Sequence, residues 1–166
     1  ISEEACMLQV DGGVLQGVAT VDQNGRKKTR EGDKIVVAAG ANSTQLCQNI
    51  GVPCPVYPAK GHLVTISSKL DCKYNITLDG GIGYAAPMAH IDAEGRRLYR
   101  LSVFVDFTPD ARIDQERVES LLDAARAHLP DLELIDSSAC HRPISADDRP
   151  LIGPTERYPN LYLCAG

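Results

Sequence analysis

At 166 residues and a net charge of −5, the chain is long enough to bury a core and corresponds to one domain, or to one domain and part of another. No apolar run approaches the ~20 residues a membrane helix needs, and the start, Ile1-Ser2-Glu3-Glu4, is acidic where a secretory signal would be basic. The single short basic run, Arg26-Lys27-Lys28-Thr29-Arg30, makes no nucleic-acid surface and is expected to be a solvated loop.

In chain order, residues 5–10 and 14–21 read as short strands separated by Asp11-Gly12-Gly13, a hairpin signal, and Asn24-Gly25 marks a second turn. The run from Asp33 to Gly40 reads as a buried strand ending in the small residues Ala39 and Gly40. Ala41-Asn42-Ser43-Thr44 is expected to cap a helix over Gln45–Ile50, with Gly51 as its stop. Pro53–Pro58 is a proline-stiffened connection, and Gly61–Ile66 alternates as a strand. Lys69–Leu78 reads as a strand pair or edge, Asp79-Gly80-Gly81 as a turn, and Ile82–Ala86 as a short strand stopped by Pro87. A turn at Asp92–Gly95 precedes Arg97–Phe107, the longest strand candidate.

One long helix is predicted from Asp114 to His128, where Val118, Leu121, Leu122, Ala125 and Leu129 recur every three or four residues and Pro130 lies beyond the end. Leu132–Ile135 begins a return strand, and Leu161–Gly166 is a second strand ending in small residues. The fold class is therefore α+β, a largely antiparallel mixed sheet with one long packed helix, plus strands of a second domain. The boundaries expected are 1–52, 53–140 and 141–166. Six cysteines without Cys-x-x-Cys or zinc spacing read as free, mostly buried thiols of a reducing compartment, so a cytoplasmic or membrane-peripheral location and no metal site are expected. Both ends fall inside patterned sequence and there is no initiator methionine, which suggests a piece of a longer protein.

The stretch Ala139–Gly153 is the densest in chemistry: Arg142-Pro143, then Asp147-Asp148, then Pro150-Leu151-Ile152-Gly153. Proline biases the preceding residue towards extended backbone, and a guanidinium presents paired donors that match a carboxylate. Arg142 could thus hold an acid substrate, or be a structural partner of Asp147 or Asp148.

The order of motifs resembles the FAD-dependent oxidoreductases of the D-amino-acid oxidase superfamily. Asp33–Gly40 with Asn42-Ser43 is followed by Pro55-Val56-Tyr57-Pro58-Ala59-Lys60-Gly61-His62, then Tyr84-Ala85-Ala86-Pro87, Arg100, Arg142-Pro143, Asp147, Pro150, Gly153 and Asn160–Gly166. The likeness runs from about Gly12 to the last residue and is greatest to the small subunit of D-amino-acid dehydrogenases, where tyrosine stands at the position of His62. The family's Gly-x-Gly-x-x-Gly, which cradles the FAD pyrophosphate, is absent from these 166 residues. The resemblance therefore implies the substrate domain with part of the FAD domain, a missing N-terminal FAD-binding segment of the same protein as partner, and poor FAD binding and no activity by this chain alone.

By that resemblance Arg142 clamps the substrate carboxylate, Tyr84 closes the pocket or bonds the carboxylate, and Arg100 places a cation where related sarcosine oxidases have a lysine over the flavin. The alternatives are an ion pair for Arg142, packing for Tyr84, and no role for Arg100, whose neighbours Leu101-Ser102 depart from the family's glycine-rich pattern. Ala39, Gly40 and Gly166 would lie near FAD, and Lys60-Gly61-His62 would sit at the domain junction unless His62 is simply a satisfied strand residue. Cys140 falls where sarcosine oxidases bond a cysteine to the flavin, although a buried free thiol is the simpler reading. The chemistry implied is oxidation of the C–N bond of a small D-amino acid to an imino and then 2-oxo acid by hydride transfer to FAD. Glycine or sarcosine oxidation, 2-hydroxy-acid dehydrogenation and a non-catalytic α+β binding domain are the competing readings.

Overall fold

The computed structural model describes residues 3–78 and 83–166, with the side chains at 103 and 104 left aside. The expected turn at Asp79-Gly80-Gly81 lies outside the described residues. The chain divides into two units, Ile1–Pro58 with Pro143–Gly166, and Ala59–Arg142.

In the first unit, β1 (Glu3–Asp11) and β2 (Val14–Asp22) form an antiparallel hairpin. Gly12 and Gly13 both have positive φ, 53° and 81°, as the tightest hairpin turn requires. The basic run is not a loop: β3 (Lys27–Glu31) pairs with β2 along its whole length, fully exposed, and the Arg30 guanidinium binds Glu3. A polar run looks like a loop from sequence because it buries nothing, yet its backbone completes the sheet and its cations pair across it. Gly17 permits the close approach, since a Cβ there would stand 2.4 Å from the Arg30 carbonyl oxygen.

The second sheet of this unit holds β4 (Ile35–Val37), β10 (Leu151–Pro154) and β11 (Leu161–Ala165), with β11 antiparallel to β10 and parallel to β4. Its first strand is shorter and less buried than expected, with Ile35 and Val37 inside but Val36 59% exposed. A 3-10 turn (Gly40–Asn42) leads into α1 (Ser43–Gln48), and the Asn42 side chain makes no capping bond. Instead Thr44 ties the helix down, its hydroxyl donating to the Cys54 carbonyl at 2.6 Å. Leu8, Leu15, Ile35, Val37, Leu46, Ile50 and Leu161 form this unit's core. Of the six thiols only Cys47 and Cys54 are buried, whereas Cys72 is half-buried and Cys6, Cys140 and Cys164 are exposed, which corrects the expectation of mostly buried thiols. Burial, with Cys54 beside it, pushes the Cys47 thiol up to about 12.

The second unit is built on a five-stranded sheet in the order β6 (Ile76–Thr77), β7 (Gly83–Ile91), β8 (Arg97–Phe107), β5 (Val56–Ser68), β9 (Glu133–Ser145). The expected strand over Lys69–Leu78 shrinks to two residues, and β5 and β9, at 13 residues each, outrun β8. Pro87 does not stop β7, because β6 pairs only with Tyr84 and Ala85, so the proline lies on an open edge where no donor is needed. The helix forms as its periodicity predicts: α2 (Gln115–Arg126) begins at Asp114, whose carboxylate accepts from the Glu116 and Arg117 backbone N–H groups. Its stripe of Val118, Leu121, Leu122 and Ala125 packs on Val64, Ile66, Ala85, Tyr99 and Leu101. That covers one face of the sheet.

Candidate functional site

The register of the second unit's sheet decides which residues share its other face. Ser102 lies opposite Leu63 of β5 and Tyr84 of β7, and Arg100 lies opposite Thr65 and Ala86. Since strand side chains alternate, Tyr84, Arg100 and Ser102 stand on the face opposite the buried Ala85, Tyr99 and Leu101. Arg142 joins them from β9: its Nη2 donates to Ser102 Oγ at 3.0 Å. Tyr84 is 45% exposed, and both arginines are exposed while Ser102 is buried. Cys140, two residues before Arg142 on β9, is exposed on that strand's same side, not buried.

Charge pairing singles out two side chains here. The second unit contains seven arginines, at 96, 97, 100, 112, 117, 126 and 142. Five are paired, with Glu133, Asp71, Asp110, Asp106 and Asp123 respectively. Among the described residues Arg100 and Arg142 have no acidic partner, so the ion pair between Arg142 and Asp147 or Asp148 does not form. Those aspartates build a turn, with Asp147 accepting from the Arg149 N–H and Asp148 at φ 58°. Two uncompensated guanidiniums on one sheet face can attract and orient an anion.

Lys60, Gly61 and His62 are placed differently. A bulge falls between Lys60 and His62, with buried Gly61 at it. Lys60 Nζ donates to the Arg112 carbonyl at 3.4 Å, and His62 Nε2 accepts from the Asp114 N–H at 3.0 Å. His62 is wholly buried, and that burial, with the Lys60 ammonium nearby, pushes its imidazole below the ordinary value. An Nε2 that accepts requires the neutral ring with its proton on Nδ1. The side chains of Lys60 and His62 thus hold the approach to α2, and the structure does not bring them to Tyr84, Arg100 and Arg142.

The remaining predicted residues lie in the first unit. β4 and β11 run parallel, with Ile35 opposite Leu161 and Val37 opposite Leu163, so Ala39-Gly40 and Gly166 leave the sheet at the same edge. Gly40 has φ 55° and Gly166 φ 98°. A Cβ on Gly40 would meet nothing within 4 Å, whereas one on Gly166 would crowd Ser145 and Arg149. The carboxyl ends of parallel strands are where such sheets receive ligands, and glycine lets the ligand approach backbone closely. The backbone at Gly40 is open to an approaching group. A separate cavity of about 750 Å³ between β1, β2 and the end of α1, lined by Leu8, Val10, Gln16 and Asn49 among others, includes none of these residues.

This fold has its counterparts among FAD-dependent oxidoreductases. The chain belongs to that group: the DAO family of FAD dependent oxidoreductases matches residues 4–166. It is 29% identical to a D-amino acid dehydrogenase of Dechloromonas aromatica, over 96% of this chain and 38% of the relative. It is 34% identical to a glycine oxidase of Pseudomonas aeruginosa, over 94% and 41%. The glycine oxidase structure from Geobacillus kaustophilus superposes with a TM-score of 0.73 at 25% identity, covering 99% of this chain and 42% of that one. The chain thus spans about two fifths of the length of the relatives it matches.

Ser102 is a polar member of the open face to which the sequence assigns no role. The signal was its spacing: two residues beyond Arg100 on one strand means the same face.

Proposed function

We propose that this chain contributes the substrate-facing sheet and one cofactor-facing strand edge of an FAD-dependent enzyme that oxidises the C–N bond of a small amino acid. In this reading residues 53–140 form the substrate-binding part, and 1–52 with 141–166 belong to the FAD-binding part. Arg142 forks onto the substrate carboxylate, which orients the α-carbon and selects for an acid. The Tyr84 phenol bounds the same face and offers one further hydrogen bond to the carboxylate. Arg100 supplies a second positive charge towards the negative charge that the reaction develops. The backbone at Ala39-Gly40 and Gly166 would hold FAD, with its pyrophosphate cradle contributed from outside these 166 residues. FAD, when bound, supplies the hydride acceptor. The product imino acid is released to hydrolysis.

The observation that carries this reading is the pair of arginines that have no acidic partner among the described residues, on the face of the five-stranded sheet opposite α2. The names of the relatives support an amino acid as substrate, D-configured or glycine. The test is Arg142→Ala in the flavin-loaded holoenzyme, assayed by dye reduction and oxygen uptake with D-amino acids, glycine, sarcosine and 2-hydroxy acids. We expect kcat/KM for the best amino acid to fall about a thousandfold, the loss of two charge-assisted hydrogen bonds, with the flavin spectrum unchanged. An unaffected rate removes Arg142 from the clamp, and turnover of hydroxy acids alone replaces the amine reading.

A further inference from the structure

We propose that Ser102 is a positioning residue that sets the guanidinium of Arg142 for a carboxylate without spending its charge. The proposal rests on the clamp reading of Arg142. Ser102 is 2% exposed and held in the middle of the sheet, between Leu63 on one neighbouring strand and Tyr84 on the other. Its hydroxyl therefore cannot wander. Arg142, by contrast, is an exposed side chain with many rotamers, and its single side-chain anchor among the described residues is that hydroxyl, 3.0 Å from Nη2.

The chemistry of the anchor matters as much as its place. A guanidinium has five N–H donors arranged as two forked edges. A bond from one Nη2 hydrogen engages one edge and leaves the other whole, which is what a bidentate carboxylate needs. The five paired arginines of this unit all meet carboxylates, which neutralise them. Serine is an uncharged acceptor. It orients the fork and leaves the positive charge free for the substrate, so its effect is specific to ligands that carry a carboxylate.

The test uses the flavin-loaded holoenzyme and two inhibitors of nearly identical shape, acetate and acetamide. Ser102→Ala is expected to raise KM for the best amino acid and the inhibition constant of acetate about tenfold, the scale of one hydrogen bond to a charged group, and to change kcat less. The inhibition constant of acetamide should stay within about twofold. Ser102→Thr, which keeps the hydroxyl, should restore the acetate value. Flavin content and melting temperature near wild type establish that the alanine variant is folded. Equal weakening of acetate and acetamide, or no weakening of either while Arg142→Ala abolishes turnover, overturns the role of Ser102 and leaves the clamp standing. If Arg142→Ala is itself fully active, the clamp and the role of Ser102 fall together.

Discussion

On the helix-covered face of the five-stranded sheet, Val64, Ile66, Tyr99 and Leu101 are wholly buried and the polar side chains are anchored to backbone: Tyr99 donates to the Leu70 carbonyl at 2.6 Å, and His62 Nε2 accepts from the Asp114 N–H. One residue along the same strands, the open face presents Thr65, Arg100, Ser102 and Tyr84, and among the described residues no carboxylate pairs with Arg100 or with Arg142, which reaches that face from β9. One strand thus serves two ends. A period of two lets residues that specify the fold and residues free for chemistry be chain neighbours. His62 belongs to the first set and Arg100 to the second.

Substitutions on the two faces should act differently. After the expected thousandfold loss of turnover in Arg142→Ala, the largest effect should be on stability. Tyr99→Ala removes a fully buried ring and the bonds its hydroxyl makes with the 70–72 backbone, and should cost about 3–5 kcal/mol by denaturant unfolding. A cost below about 1 kcal/mol would mean this face is not the unit's core. Asp114→Ala removes the cap of α2 and should cost about 1 kcal/mol in the same experiment, with substrate KM unchanged.

The smallest effect is one of pH. Burial holds the imidazole of His62 neutral below its ordinary 6.5, so the unfolded chain takes up a proton that the folded one refuses. This contribution is whole above pH 6.5 and drains as pH falls below it, until the folded ring itself protonates. His62→Gln should flatten stability in that window. The lower window belongs to Glu3 and Asp110, held at about 2 chiefly by hydrogen bonds from Arg30 and Arg112, and their contributions drain only between about pH 4.5 and 2. An unchanged slope just under pH 6.5 in His62→Gln would show that His62 does not titrate as its burial requires.

Much of the fold was legible because its signals are local. The glycine pair after Asp11 needs no partner to make a turn, and the apolar stripe of α2 with its aspartate cap is complete within fifteen residues. What escaped is set by pairing. β3 is all polar and becomes a strand only against β2, and Pro87 is tolerated only because β6 is too short to sit beside it. The candidate site was legible as a set of residue types but not as a place. Arg142, Tyr84 and Arg100 lie on three different strands, and only strand register puts them on one face. His62 keeps the parity of Val64 and Ile66 and so falls on the helix-covered face, and the spacing of Ser102 from Arg100 gives its face but not its contact with Arg142.

The comparison of the two faces reduces to one experiment on the flavin-loaded holoenzyme, in which Arg142→Ala and His62→Gln are assayed side by side for kcat/KM with the best amino acid and for thermal stability. Arg142→Ala is expected to lose about a thousandfold in kcat/KM at nearly unchanged stability, while His62→Gln loses stability and keeps kcat/KM within about threefold. The reverse pattern, with His62→Gln crippling turnover and Arg142→Ala leaving it intact, would contradict the assignment of the open face to the substrate.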